Sequence, residues 1–168
     1  MPDAVVSALG PDRPGIVAAV TRVLLEHGAN VADSRMGLLN GRFSMMLMVT
    51  VPEGLPERRF ATDLERVARE LGLDAIHAEY VSEGVTATAP DHVVTVYGAD
   101  HPGIVAAITE AVAVAGASVT DLQTRLAGDL YVMTLEVGGG AGATEAVRAV
   151  AAAHDLEVTV RPIDPDVL

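Results

Sequence analysis

The residues with the clearest chemical potential stand in two near-copies of one phrase. Gly10-Pro-Asp-Arg-Pro-Gly-Ile-Val runs from 10 to 17, and Gly98-Ala-Asp-His-Pro-Gly-Ile-Val from 98 to 105. Each sets a carboxylate, Asp12 or Asp100, three residues ahead of a glycine, Gly15 or Gly103, where an apolar run gives way to a helical pattern. A strand that ends this way leaves the first backbone N–H groups of the helix unpaired above its end, which favours a small anion such as a carboxylate. The glycine lets a ligand approach the backbone closely, and the aspartate could take an ammonium group on the same ligand. An α-amino acid carries both charges on one carbon.

The same residues also admit a purely structural reading. Asp12 and Asp100 are N-cap types, and Pro14-Gly15 suits a helix start, with proline in the first turn. Asn30 and Ser118 could do no more than satisfy backbone groups at a helix exit. His101 stands inside the second loop, where a pH-sensitive contact competes with plain solvation. No catalytic group emerges: the serines lack a nucleophile-elbow setting, and the carboxylates are scattered over helix faces. His27, His77, His92, His101 and His154 show no metal-ligand spacing, so neither metal nor cofactor is expected. The reading is of a protein that is not an enzyme.

The elements that hold these loops come in duplicate at an offset of 88 residues, because Gly28-Ala-Asn-Val-Ala-Asp33 meets Gly116-Ala-Ser-Val-Thr-Asp121 at the same spacing. The repeat divides the chain into domains at 1–82 and 91–168 with a short linker at 83–90. In the first copy, residues 4–9 read as a buried strand, followed by a helix from Pro14 that buries Ile16, Val20, Val23, Leu24 and His27 and closes at Gly28. Asn30–Leu39 and Arg42–Val51 are β-rich and flank Asn40-Gly41, the dipeptide that tolerates a type I′ hairpin turn. In the second run Phe43, Met45, Leu47, Val49 and Val51 form one apolar face, while Ser44, Met46, Met48 and Thr50 form a mixed face suited to cover by a partner.

A helix at 56–71 with Phe60, Leu64, Val67 and Leu71 inward and a strand at 74–81 complete the copy. The second copy repeats this with strands near 92–98, 117–127, 130–137 and 157–161 and helices near 102–115 and 143–154. The order β-α-β-β-α-β, twice over, is α+β and ferredoxin-like. Gly138-Gly-Gly-Ala-Gly142 looks like a phosphate cradle, but it lacks both the Gly-Lys-Ser/Thr ending and the Rossmann spacing, and it reads as a plain loop.

Composition bounds the partners. A net charge of −12, from 11 Lys and Arg against 23 Asp and Glu, would repel a phosphate backbone, so direct nucleic-acid binding is not expected. With no cysteine, disulfides and thiol chemistry are excluded. Met1-Pro-Asp-Ala-Val-Val lacks the basic and apolar regions of a signal peptide, and no apolar run reaches spanning length, so a cytoplasmic protein without membrane contact is expected.

Two such units, each with Asp-x-Pro-Gly-Ile-Val at its first strand-helix junction and Gly-Ala-Asn/Ser-Val about a dozen residues on, resemble the ACT domain, a family of amino-acid-sensing regulatory modules. The tandem form resembles the glycine cleavage system repressor family in particular. In ligand-binding ACT domains the amino acid lies at an interface between two domains. It is held by backbone groups of this loop, by a polar side chain at the Asp12 position and by the Asn that starts the second strand. The resemblance therefore nominates Asp12, Arg13, Pro14, Gly15, Ile16, Asn30 and Val31 in copy one. In copy two it nominates Asp100, His101, Pro102, Gly103, Ile104, Ser118 and Val119, where Ser118 departs from the pattern because it offers no amide. Both copies also have glycine, Gly10 and Gly98, where some ACT domains carry a polar side chain. The resemblance implies a regulatory protein that binds and senses a small amino acid, glycine or serine before bulkier ones, and acts through protein contacts on a DNA-binding regulator or metabolic enzyme, as a homo-oligomer with a dimer favoured. A ligand-free protein-protein adaptor and a detachable regulatory subunit of an amino-acid biosynthetic enzyme are the alternatives.

Overall fold

The structure is a computed structural model that describes residues 3–81 and 88–164. Much of the linker expected at 83–90 lies outside the described residues. The chain divides into two compact units, residues 1–85 and 86–168. The first contains β1 (Asp3–Pro11), α1 (Ile16–Glu26), β2 (Asn30–Leu39), β3 (Arg42–Thr50), α2 (Glu57–Leu71) and β4 (Ala75–Val81). The second contains β5 (His92–Ala99), α3 (Ile104–Val114), β6 (Ser118–Ala127), β7 (Leu130–Gly138), α4 (Ala143–Ala153) and β8 (Glu157–Pro162). Each sheet is antiparallel, in the order β2-β3-β1-β4 and β6-β7-β5-β8. This is the ferredoxin-like βαββαβ arrangement read from the sequence, present twice.

The core of the first unit follows the two periodicities in the sequence. On β3 every second residue points inward, so Phe43, Met45, Leu47 and Val49 are buried against Ile16, Val20, Val23 and Leu24 of α1 and Phe60, Leu64 and Val67 of α2. Leu71, the last residue of α2, packs only partly against this core, and Gly72 ends the helix in the left-handed conformation (φ 66°). His27 ends α1 with its ring edge-on to Phe60 and its Nε2 2.9 Å from Asp63 Oδ2. The β2–β3 turn uses Asn40 (φ 49°) and Gly41 (φ 76°), the two positive angles that a type I′ turn requires. On the opposite face of β3, Met46 is 57% exposed.

The first helix starts later than its proline suggests. Gly15 takes φ 94°, which no helical residue adopts, so Pro14 lies in the turn and α1 begins at Ile16. The second unit repeats this, with Gly103 at φ 100° and α3 beginning at Ile104. Each first helix ends alike. Gly28 N–H donates to Leu25 C=O and Ala29 N–H to Leu24 C=O, both at 2.9 Å, and Gly116 and Ala117 make the equivalent bonds to Ala113 and Val112. That stop fixes where β2 and β6 begin.

Candidate functional site

Each loop is held from below and open above. The N–H of Asp12 donates to Gly41 C=O at 3.0 Å, which ties the loop to the β2–β3 turn. Ile16 and Ile104, both 2% exposed, anchor the first helical residue in the core. Gly15 and Gly103 occupy the N-cap positions, and their carbonyls accept from Ala19 and Ala107 at 2.9 Å. Among the described residues no side chain caps either helix, so the following amides keep their hydrogen-bonding capacity. A β-carbon on either glycine would meet nothing within 4 Å among the described residues. The glycines are there for their backbone angle, and the space above them is free.

The capping roles expected for Asp12 and Asp100 are not realised. Both stand three residues before the N-cap position, both are exposed, and neither makes a side-chain hydrogen bond among the described residues. Asp100 lies close enough to Tyr131 to add to the effect of burial, which is the larger cause of that phenol's raised pKa. Pro14 and Pro102 are exposed in the turn between the aspartate and the glycine.

Position 13 and its counterpart 101 both reach the end of the unit's second helix. A β-carbon built on Gly72 would lie 3.3 Å from Nη1, 3.4 Å from Cζ and 3.5 Å from Nη2 of Arg13. Those near-equal distances set the guanidinium plane face-on to the glycine. His101 instead stacks on His154, with ring centroids 5.5 Å apart and planes 18° apart, and its Nδ1 lies 3.2 Å from Pro102 O. His154 is the C-cap residue of α4. Sequence reasoning missed Gly72 and His154 as neighbours of the loop, since only the fold brings them there.

The second-strand residues stand elsewhere. In the register of the first sheet, Pro11 pairs with Arg42 and Arg42 with Leu39, whereas Asp3 pairs with Thr50 and Thr50 with Asn30. The loop and Asn30 are therefore at opposite ends of one sheet, eight residues or about 27 Å apart along the strands. Ser118 and Val119, opposite Gly138 and Val137, are equally far from Asp100. Each unit thus groups its loop residues with one another and separates them from Asn30 and Val31, or from Ser118 and Val119. Both second strands also carry a bulge just past this point, between Val31 and Asp33 and between Val119 and Asp121.

The glycines at 10 and 98 have a packing cause. A β-carbon on Gly10 would lie 2.8 Å from Leu73 Cα and 2.9 Å from its Cδ2, and one on Gly98 would collide with Leu156 Cδ2. The chain leaving the second helix crosses directly over this position and leaves no room for a polar side chain. The glycine loop at 138–142 has its own anion already. Asp91 accepts from Gly139 N–H at 3.1 Å and Gly140 N–H at 2.8 Å. Its carboxyl is held below its ordinary pKa first by the His92 side chain and then by the Gly140 amide. Among the described residues no group of three His, Asp or Glu side chains could hold a metal, and no helix is long and apolar enough to cross a membrane.

A duplicated βαββαβ unit with Asp-x-Pro-Gly at its first strand-helix junction defines the ACT class, and comparison with known proteins agrees. Residues 3–77 and 91–161 each match the family model for the ACT domain. The chain belongs to the ACT-domain family, in tandem form. It is 39% identical to a UPF0237 protein of Methanopyrus kandleri over 77 residues, which are 45% of this chain and 86% of that protein. It is 41% identical to the glycine cleavage system transcriptional repressor of Escherichia coli over 46 residues, 27% of this chain and 24% of that protein. Among solved structures, an unknown protein from Galdieria sulphuraria is similar over 97% of this chain and 99% of its own, with 27% identity and a TM-score of 0.82.

Proposed function

We propose that this chain is a non-catalytic regulatory protein that senses a small amino acid, glycine or serine before bulkier ones. It acts by protein contacts on a transcription regulator or a metabolic enzyme. The observation that carries the reading is the uncapped, open helix start after a left-handed glycine, with a free aspartate beside it, kept in both copies. The amides suit a carboxylate and the aspartate an ammonium group, the two charges of an amino acid. The partial likeness to a glycine cleavage repressor favours glycine. Because Asp12 and Asn30 lie about 27 Å apart along one sheet, a ligand gripped by both needs two ACT units, and a homo-oligomer fits that need. Binding would change function only through unequal affinity for two states of the protein or its complex.

A thermal-shift screen of the twenty amino acids, followed by calorimetric titration of each hit, tests the proposal. At 100 times its dissociation constant a ligand adds about 2.7 kcal/mol of stability. A selective rise with glycine or serine is expected. No rise with any amino acid would favour the ligand-free adaptor. That reading has its own support in β2, which is exposed along its whole length with Met36, Leu38 and Leu39 59–80% exposed. An open edge of that kind is suited to a partner strand.

A further inference from the structure

We infer that two copies of this chain associate through their helical faces, the α1–α2 groove of one copy receiving the α3–α4 face of the other, with Arg22 paired to Glu110. The contact specifies the homo-oligomer proposed for sensing and needs no amino acid in either loop. Arg22 and Glu110 occupy the same place in the repeat, 88 residues apart, near the middle of α1 and of α3. Both are exposed, and neither makes a hydrogen bond or ion pair among the described residues. One position thus carries an unpaired cation in the first unit and an unpaired anion in the second.

The surroundings of the two residues differ in the same complementary sense. In the first unit α1 and α2 enclose an open groove of about 380 Å³, lined by Ala18, Ala19, Val23 and Val67 and edged by charge. On the α2 side Arg66 is already held, with Nη1 3.1 Å from Glu70 Oε1 and Nη2 3.8 Å from Asp63 Oδ1. Arg22 is therefore the guanidinium of the groove left without a partner, and Glu26 lies one turn further on at its end. Counted from Gly72 and Asp155, the left-handed residues just past α2 and α4, Arg66 and Glu70 match Ala149 and Ala153, while Glu26 matches Val114 in the repeat. Glu110 is thus the one charged residue among the second unit's matching positions. Val114 is 82% exposed, and Ala106, Ala149 and Ala153 are exposed beside it. An apolar helix surface left open in this way marks a contact surface.

Charge decides which faces meet. Groove against groove would crowd the unpaired Arg22 of both copies, and the apolar face against itself would bury two carboxylates without a cation. The mixed pairing gives each unpaired charge its opposite. Small side chains at Ala106, Ala149 and Ala153 let the helices approach closely, which excludes water from the Arg22–Glu110 pair and strengthens it. Size also favours a second copy as the occupant. Two adjacent helices of at least eleven residues present a face roughly 16 Å long and about 20 Å wide, on the order of 300 Å². One such contact buries about 650 Å² in total, below the roughly 1,000 Å² that a specific interface needs. A two-fold axis makes the contact twice and reaches about 1,300 Å².

Sedimentation velocity on the full chain without amino acid, over a wide concentration range, tests the contact. The parent is expected to dimerise. Arg22→Glu and Glu110→Arg should each weaken every contact at least about tenfold, and the dimer therefore about 100-fold, because the axis repeats the contact. The two single variants mixed together should recover the dimer, since each copy then meets the opposite charge at both contacts. A chain with both substitutions should dimerise as the parent does. Thermal melts check that each variant is folded, and recovery on mixing is beyond unfolded chains. A monomeric parent, a dimer that either substitution leaves unchanged, or single variants that stay apart on mixing would overturn the contact. The dimer is measured without ligand, so its failure leaves the sensing proposal to the amino-acid screen, and an empty screen leaves the dimer standing.

Discussion

Replacing Asp12 by alanine separates the roles open to this residue, because they predict opposite patterns in stability and affinity. An aspartate that caps a helix loses about 1 kcal/mol of stability on truncation. Asp12 stands three residues before the N-cap position, is exposed and makes no side-chain hydrogen bond among the described residues. Its truncation should therefore change stability by less than about 0.5 kcal/mol, the range of an ordinary surface substitution. If the carboxylate takes the ammonium group of an amino acid, removing that charge-assisted bond costs about 1.5–3 kcal/mol of binding. At about 1.36 kcal/mol per decade, this is a loss of roughly 10- to 150-fold in affinity. Chemical denaturation of the unliganded chain measures the first quantity, and calorimetric titration with the screen's best amino acid the second. A stability loss near 1 kcal/mol with unchanged affinity would refute the reasoning.

Other substitutions test the parts of the loop one at a time. Gly15→Ala and Gly103→Ala should each cost about 1–2 kcal/mol in denaturant unfolding, all of it backbone strain, because φ is 94° and 100° and the space around each is empty. Gly10→Ala should cost more than Gly98→Ala within the roughly 1–3 kcal/mol of overpacking, since the first meets Leu73 Cα and the second the movable tip of Leu156. Asp91 has a lowered pKa, so the stability it contributes is present above the ordinary carboxylate range and lost as pH falls through its lowered value. Melting curves below about pH 4 should show that acid limb in the parent and a flatter one in Asp91→Asn.

Local features were legible wherever a residue's own chemistry dictated them. Asn40-Gly41 announced the hairpin because few residues tolerate two positive φ angles, and β3 announced its inward face through strict alternation from Phe43 to Val49. The helix starts later than Pro14 predicts because proline's preference for a first turn competes with the left-handed glycine after it, and the glycine prevails. Contacts that need the folded chain were invisible. Asp91 meets Gly139 across 48 residues of sequence, and His101 meets His154 only because α4 ends where β5 does. A clue existed for the second: Asp155, at φ 55°, follows α4 as Gly72 follows α2, which puts His154 at the helix end that Arg13 reaches in the other copy.

The separation of loop and second strand gives the duplication a chemical consequence. Across about 27 Å no single amino acid can touch both Asp12 and Asn30 of one unit, so under the proposed ligand grip each unit would supply two half-sites, at opposite ends of its sheet. The halves from the two units would then differ, because Asn30 can donate from an amide and Ser118 only from a hydroxyl. Sites completed by Asn30 should then bind an amino acid more tightly than sites completed by Ser118, and calorimetric titration should resolve two classes. Asn30→Ser would merge them by weakening the tighter class alone, with little effect on stability because Asn30 is an exposed strand-end residue. A single class that Asn30→Ser leaves unchanged would mean that the ligand is held by the loop without the second strand, and the need for two units would disappear with it.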